Sequence, residues 1–259
     1  MSSSDPLFSL EGKTALVTGG GSGIGAMIAA GLVRRGVKTY VTGRDAVRAE
    51  ETASELSREG VCIALPADFS HDTGATDLAR AYAEREERLD ILVNNAGANA
   101  TGRLADMSIA DWDLVLNVNL RSVFFLTREL LPQLRAAASA DRPARIINIG
   151  SIGGLHVPNW EAHGYGASKA ALHHLTRSLA KALGGDRITV NAIAPGPFPS
   201  RLTDTGSEAV QQSIATYVPL GRAGTPEDIE GAVVFLASRA GAYVNGATIP
   251  LDGGYIAAL

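Results

Sequence analysis

A tyrosine and a lysine four residues apart form the pair whose types and spacing could carry acid–base chemistry. Tyr165 and Lys169 stand in the segment Y-G-A-S-K, and this spacing places both side chains on one face of a helix. An ordinary phenol has a pKa of about 10, and a nearby ammonium stabilises the phenolate and lowers that pKa. The pair therefore predicts a general acid/base, although a tyrosine and a lysine that merely flank a helix start have the same spacing.

A serine hydroxyl precedes this pair by fourteen residues. Ser151 directly follows Gly150 and the isoleucine-rich run Arg145–Ile149, which reads as a buried strand. Ligands of open α/β sheets bind at the carboxyl ends of the strands, so Ser151 could donate a hydrogen bond to a substrate carbonyl oxygen. Its glycine-rich surroundings also fit a simple turn serine.

A glycine-rich turn lies between the first predicted strand, Lys13–Thr18, and the helix predicted at Ile24–Arg35. Glycines there allow backbone N–H groups to approach a pyrophosphate at the positive end of the helix. No Gly-Lys-Ser/Thr follows, which excludes a P-loop. The dinucleotide contacts predicted in this turn are Gly19, Gly21, Ser22, Gly23, Ile24 and Gly25.

The end of the second predicted strand, Lys38–Thr42, bears on the choice of cofactor. An acid at this position binds the ribose 2′-hydroxyl of NAD, whereas an arginine binds the 2′-phosphate of NADP. Asp45 fits better as the N-cap of the helix predicted at Asp45–Glu59, and Arg44 can hold a phosphate through two hydrogen bonds. The sequence therefore favours NADP(H), with NAD(H) as the alternative.

Apolar strands alternate with helices along the whole chain, and strands that are apolar throughout are typical of a sheet covered on both faces. We predict one Rossmann-type doubly wound α/β domain over residues 1–259, with a seven-stranded parallel sheet flanked by helices. Residues 1–8 are expected to be a flexible tail and residues 195–213 a substrate lid. The remaining strands are predicted at Val61–Leu65, Leu89–Val93, Arg145–Ile149, Ile188–Ile193 and Ala247–Leu251, and the remaining helices at Asp72–Arg88, Ser108–Leu134, Tyr165–Leu183 and Pro226–Ser238.

Composition excludes several classes of protein. The formal net charge of −4 comes without a Lys/Arg-rich run, so we expect no nucleic-acid partner. No run reaches the roughly 18 apolar residues of a membrane span, and the Ser-rich N-terminus does not read as a signal peptide. The single cysteine, Cys62, is compatible with a reducing cytoplasm, and no histidine has metal-spaced partners. The expected partner is a small molecule.

These features belong to a longer series of motifs that spans the chain. In order they are T-G-x-x-x-G-x-G from Thr18, N-N-A-G from Asn94, V-N-L around Asn119, Ser151, Y-x-x-x-K, P-G at Pro195 and D-G-G from Asp252. The chain resembles a classical short-chain dehydrogenase/reductase from end to end. The resemblance implies that Tyr165 is the general acid/base, that Lys169 binds the nicotinamide ribose and lowers the tyrosine pKa, that Ser151 binds the substrate carbonyl and that Asn119 holds a relay water.

The resemblance also implies further cofactor contacts and a homotetramer assembled through the helices at Ser108–Leu134 and Tyr165–Leu183. Ser200 replaces the usual threonine after Pro-Gly, and Ser22 replaces a basic residue that many NADP-preferring members carry. The spacing from Ser151 to Tyr165 is one residue longer than the commonest one. The further cofactor contacts implied are Asp68, Phe69, Asn95, Ala96, Gly97, Tyr165, Lys169, Pro195, Gly196, Phe198 and Ser200.

We therefore expect an NADP(H)-dependent enzyme that interconverts a ketone and a secondary alcohol. The segments around Ser151, Tyr165 and Pro195 are similar to the rhamnolipid-pathway type of 3-oxoacyl reductase, which implies a 3-oxoacyl thioester substrate. A sugar or polyol dehydrogenase that uses NAD(H) is the alternative within the family, and a non-catalytic dinucleotide-binding sensor is the alternative outside it. Apolar Phe198 and Leu202 favour the acyl substrate, whereas polar His156, Asn159, Glu161 and His163 favour a sugar.

Overall fold

The computed structural model describes residues 5–157, 160–199 and 205–258. Seven parallel strands form one sheet, as predicted: β1 (Thr14–Val17), β2 (Lys38–Val41), β3 (Cys62–Ala64), β4 (Ile91–Asn94), β5 (Ala144–Ile149), β6 (Ile188–Pro195) and β7 (Thr248–Leu251). Their order is β3-β2-β1-β4-β5-β6-β7. The chain thus leaves β1 toward one edge and returns to β4 on its other side, so the topological switch point lies between β1 and β4. Ligands of such sheets bind outside the carboxyl ends of the strands at this point.

Helices cover both faces of the sheet, which confirms the doubly wound arrangement. Side chains of successive strand residues point to opposite faces, so Leu16 and Leu92 pack in one core while Val17 and Val93 pack in the other. The helices are α1 (Gly23–Val33), α2 (Ala46–Leu56), α3 (Gly74–Ala83), α4 (Ile109–Leu116), α5 (Ser122–Glu129), α6 (Leu131–Ala137), α7 (His163–Leu183), α8 (Glu208–Tyr217) and α9 (Pro226–Ala237).

The prediction of one continuous helix over Ser108–Leu134 was wrong. The segment forms α4, a π-helical turn at Asn117–Arg121, α5 and the start of α6. A π-helical turn inserts one extra residue per turn, and such turns are frequent at functional sites. Pro132 lies in the first turn of α6, where its missing N–H costs no intrahelical hydrogen bond. The other predicted helices and strands are present with ends shifted by a few residues.

The lid predicted at residues 195–213 is only partly a loop. The strand β6 extends to Pro195, and α8 begins at Glu208, so the last residues of the predicted lid are helical. Ser200 and Leu202 lie outside the described residues. In the predicted tail, the Leu7 carbonyl accepts a hydrogen bond from the Ala240 amide at 3.2 Å, while residues 1–4 lie outside the described part. Among the described residues, no helix has the length and apolar character needed to cross a membrane.

Candidate active site

The carboxyl ends of the strands open into a cleft of about 1290 Å³, and three of the four predicted catalytic side chains, Ser151, Tyr165 and Lys169, line it. Ser151 follows β5 by two residues, and Tyr165 and Lys169 lie in the first two turns of α7. The Ser151 hydroxyl and the Tyr165 phenol are hydrogen-bonded. The Lys169 ammonium lies 5.7 Å from the centroid of the Tyr165 ring. The three groups therefore form one cluster at the place where an open α/β sheet binds its ligand.

Burial controls the ionisation of this cluster. Burial raises the pKa of the Tyr165 phenol, and the hydrogen bond with Ser151 opposes that effect. Burial lowers the pKa of the Lys169 ammonium to about 8, and its Nζ donates to the Ile149 carbonyl at 2.8 Å. The lowered tyrosine pKa that the resemblance implies is thus not a property of these side chains alone. A phenol with a raised pKa stays protonated at neutral pH, which suits a proton donor.

Asn119 lies in the π-helical turn Asn117–Arg121 and is connected by hydrogen bonds to the helix that carries Tyr165. Its side-chain amide accepts a hydrogen bond from the Ala98 amide at 2.8 Å and donates to the Ala98 carbonyl at 2.9 Å. It also donates to the Ser168 hydroxyl at 2.9 Å, and that hydroxyl donates to the Tyr165 carbonyl at 2.7 Å. The Asn119 side chain therefore joins the loop after β4 to the helix that carries the tyrosine.

The glycine-rich turn between β1 and α1 is shaped for a ligand that approaches the backbone. Gly19 and Gly23 adopt positive φ angles of 65° and 51°, which glycine tolerates best. A Cβ at Gly25 would lie 2.2 Å from the Gly19 carbonyl oxygen. The Asn95 side chain donates to the carbonyls of Thr18 and Gly19 at 3.0 and 3.2 Å, so the end of β4 holds the turn in place. Gly23 and Ile24, the first residues of α1, line the cleft beside this turn.

Two arginines border the cleft beyond the end of β2. Arg44 was predicted there, while Arg48, in the first turn of α2, was not. The Asp45 carboxylate accepts a hydrogen bond from the Arg48 amide at 3.1 Å, which confirms Asp45 as the N-cap of α2. Asp68 lies nearby. Burial acts to raise the pKa of its carboxyl, but hydrogen bonds from Ser70 and the charges of His71 and Arg44 hold that pKa below its ordinary value.

Most residues predicted to contact the cofactor line this cleft. Gly25 lies beneath the turn and packs against Gly19, Asn119 is hydrogen-bonded to α7, and Ser200 falls outside the described residues. Within the described part of the chain, no group of three or more His, Cys, Asp or Glu side chains could hold a metal ion. The predicted residues that line the cleft are Gly19, Gly21, Ser22, Gly23, Ile24, Arg44, Asp68, Phe69, Asn95, Ala96, Gly97, Ser151, Tyr165, Lys169, Pro195, Gly196 and Phe198.

The cleft also contains residues that the motifs did not identify. Val210 and Ser213 fall within the predicted lid at residues 195–213, whereas Ile152, Ile214 and Tyr255, which directly follows the D-G-G motif, were not predicted. Ile152, Val210, Ile214 and Tyr255 share apolar or aromatic character in segments that the topology brings to the carboxyl edge of the sheet.

Comparison with known proteins agrees with this geometry. The family model described as enoyl-(acyl carrier protein) reductase matches residues 19–256. The chain belongs to the short-chain dehydrogenase/reductase family, and it is therefore an oxidoreductase.

Individual relatives cover nearly the whole chain. The rhamnolipids biosynthesis 3-oxoacyl-(acyl-carrier-protein) reductase of Pseudomonas aeruginosa is 48% identical over 253 residues, covering 96% of this chain and 98% of that protein. The 2-dehydro-3-deoxy-D-gluconate 5-dehydrogenase of Dickeya dadantii is 37% identical over 257 residues, covering 96% and 98%. Among solved structures, the Pseudomonas aeruginosa RhlG/NADP active-site complex superposes with a TM-score of 0.94 at 47% identity, covering 97% of this chain and 99% of that one.

Proposed function

We propose that this protein is an NADP(H)-dependent reductase of 3-oxoacyl thioesters. The observation that carries the proposal is the meeting of Ser151, Tyr165 and Lys169 in one cleft that also contains the glycine-rich turn. A hydroxyl, a phenol and an ammonium at this position serve the chemistry of a carbonyl group that gains or loses a proton. The relative from Pseudomonas aeruginosa named as a 3-oxoacyl-(acyl-carrier-protein) reductase supports the substrate class.

The residues present fit a dinucleotide. Close packing at Gly25 fixes the shape of the turn, and Gly21 and Gly23 line the cleft without side chains, so a pyrophosphate can approach the backbone at the start of α1. At the end of β2, the guanidinium groups of Arg44 and Arg48 supply positive charge for a 2′-phosphate. The solved NADP complex of the similar Pseudomonas aeruginosa protein supports NADP(H) over NAD(H). The nicotinamide cofactor, when bound, supplies hydride chemistry.

The protein's own groups manage the proton and the carbonyl oxygen. We assign the Ser151 hydroxyl as the hydrogen-bond donor to the substrate carbonyl and the Tyr165 phenol as the proton donor to the same oxygen. Both hydroxyls line the same cleft, and the Ser151 side chain acts to lower the pKa of the Tyr165 phenol, so the two donors are neighbours. Lys169, fixed by the Ile149 carbonyl, holds positive charge beside the phenol and stabilises the phenolate left after proton transfer. Asn119 anchors the helix start that presents Tyr165.

A sugar or polyol dehydrogenase is the second candidate. His156 and Trp160 border the cleft, and Glu161 and His163 lie exposed near its mouth, so a polyhydroxylated substrate would find polar partners there. The relative named as a 2-dehydro-3-deoxy-D-gluconate 5-dehydrogenase has a similar degree of coverage. The aliphatic side chains of Ile152, Val210 and Ile214 also line the cleft, and they favour the acyl substrate.

The test combines a substrate panel with a cofactor titration. We expect 3-oxoacyl thioesters to be reduced with NADPH at a kcat/KM far above that for sugar ketones, and NADPH to bind more tightly than NADH. Arg44→Ala should weaken NADPH binding by about 1.5–3 kcal/mol, roughly tenfold to a hundredfold, and leave NADH binding unchanged, because the lost bond is charge-assisted. Equal loss for both cofactors, or none, would refute the assignment of Arg44. Activity confined to sugar ketones would refute the substrate class.

We further propose a cytoplasmic homotetramer. Exposed apolar side chains on α4 and α5 support association: Ile109, Trp112 and Phe124 are 81%, 38% and 42% exposed. The cytoplasmic location rests on the single cysteine. A monomeric mass in light scattering would contradict the tetramer, and activity in a non-cytoplasmic fraction would contradict the location.

A further inference from the structure

The C-terminal segment contributes an aromatic side chain to the cleft. Tyr255 begins a short 3-10 helical turn after β7 and is only 9% exposed. The Asp252 carboxylate holds this turn, since it accepts hydrogen bonds from the Gly254 and Ile256 amides at 3.0 and 2.9 Å. Tyr255 is therefore a fixed part of the cleft wall and does not belong to the catalytic cluster.

Two other rings flank Tyr255 and connect separate segments of the chain. The His156 ring, in the loop after β5, lies 5.2 Å from the Tyr255 ring centroid. The Tyr217 ring, at the end of α8, also contacts Tyr255, and the two ring centroids lie 5.8 Å apart. Tyr255 also packs with Ile214 and Val218, and Ile152 and Val210 adjoin this cluster. The segments around the cleft thus converge on one phenol ring.

The chemistry of this ring is that of an apolar wall. The Tyr255 hydroxyl is already hydrogen-bonded to the Ser213 side chain, and burial raises the pKa of the phenol, so the group stays neutral. Its neighbours on the cleft side, Ile152, Val210 and Ile214, are aliphatic. A hydrocarbon chain bound among them would lose water contact along its length, and the ring would limit how far the chain extends.

We infer that Tyr255 determines the chain-length specificity of this enzyme by closing the acyl-binding end of the cleft. The inference rests on the proposed function, because it takes the substrate to be a 3-oxoacyl thioester with its carbonyl at Ser151 and Tyr165. The acyl arm then runs along Ile152, Val210 and Ile214 and ends against the Tyr255 ring.

The size of the effect follows from the burial of methylene groups. Each methylene removed from water contributes about fourfold to kcat/KM, so two contribute about 15-fold. In the wild-type protein we expect kcat/KM to rise along a series of 3-oxoacyl thioesters and to fall at the first homologue that meets the ring. Tyr255→Ala should move the optimum at least one two-carbon step toward longer chains. The ratio of kcat/KM for that first excluded homologue to kcat/KM for the preceding homologue should be higher in Tyr255→Ala than in the wild type, by about 15-fold or more.

The experiment measures kcat/KM with NADPH along this series for the wild-type protein and four variants. Tyr255→Leu shortens the wall while it still fills the core, so it keeps the test usable if Tyr255→Ala does not fold; we expect a smaller shift in the same direction. Tyr255→Phe keeps the ring and loses only the bond to Ser213, so its optimum should stay at the wild-type length. Tyr243→Ala is the matched control, because Tyr243 is fully exposed; its profile should also match the wild type.

The outcomes separate the inference from the proposed function. An unchanged optimum in Tyr255→Leu, or in a folded Tyr255→Ala, would overturn the inference while the reductase activity stands. If the chain-length optimum shifts in Tyr255→Phe as much as in Tyr255→Leu, the ring does not limit chain length and the effect belongs to the hydroxyl. If the wild-type protein reduces none of the thioesters, the proposed function itself fails.

Discussion

The buried histidine one turn beyond Lys169 should make the stability of this protein depend on pH. His173 is 3% exposed, and its ring fills the space beside Gly150 and Gly154, where a Cβ at Gly150 would lie 2.1 Å from its Nε2. Burial, and secondarily the charge of Lys169, lowers the pKa of the His173 imidazole to about 4. In the unfolded chain the same imidazole has a pKa of about 6.5.

The sign and the magnitude follow from these two values. The unfolded state binds the proton more readily than the native state, so the free energy of unfolding falls as the pH drops from about 6.5 to about 4. At pH 7 the effect is nearly absent. At pH 5 the difference in proton binding lowers the free energy of unfolding by about 2 kcal/mol. Below both pKa values the full loss of this free energy is about 3 kcal/mol.

The assay is urea unfolding at pH 7 and pH 5 for three proteins. His173→Leu removes the titrating group, so it should lose about 2 kcal/mol less stability between the two pH values than the wild type does. His174→Gln is the matched control, because His174 is the adjacent but exposed histidine. It should lose as much stability as the wild type. Equal losses for wild type and His173→Leu would refute the reasoning, since the pH dependence would then not come from His173.

Two further predictions concern the cofactor turn and the contact between α1 and α9. Gly25→Ala should weaken dinucleotide binding by on the order of tenfold or more in a fluorescence titration, because its Cβ would meet backbone atoms of the turn; Gly231→Ala, where nothing lies within 4 Å, should bind normally. Unaltered binding in Gly25→Ala would contradict the tight turn. Glu230→Gln should lower the free energy of unfolding by about 1–2 kcal/mol, because the carboxylate pairs with both Arg34 and Arg35. A stability equal to the wild type would show that solvent screening cancels both pairs.

Local patterns were sufficient to predict the fold and the meeting of Ser151, Tyr165 and Lys169 in one cleft. The strands are rich in Ile, Leu and Val and the glycine-rich turn has a recognisable spacing, so the sheet and its ligand-binding edge followed from the sequence. Asp45 was identified as an N-cap because the cap and the helix it opens are neighbours in the chain. Tyr165 and Lys169 required only the helical period.

The remaining features depend on contacts between distant segments. The π-helical turn at Asn119 accompanies hydrogen bonds that its side-chain amide donates to the Ala98 carbonyl and the Ser168 hydroxyl, partners that are 21 and 49 residues away. No helical pattern in the sequence indicates such a turn. Burial of the Tyr165 phenol, which raises its pKa, likewise depends on the assembled fold and is not visible in the motif. Tyr255 directly follows the D-G-G motif, but that motif does not indicate that the ring lines the cleft, which depends on the position of β7 at the sheet edge.

The most direct test of the proposed proton transfer removes one oxygen atom. Tyr165→Phe keeps the ring that lies beside Lys169 and Trp160 but removes the proton donor. We predict that NADPH titration gives the wild-type Kd, while the single-turnover rate of 3-oxoacyl thioester reduction falls by about 10²–10⁴-fold. A single-turnover rate equal to that of the wild type, with NADPH bound, would contradict the assignment of Tyr165 as the proton donor.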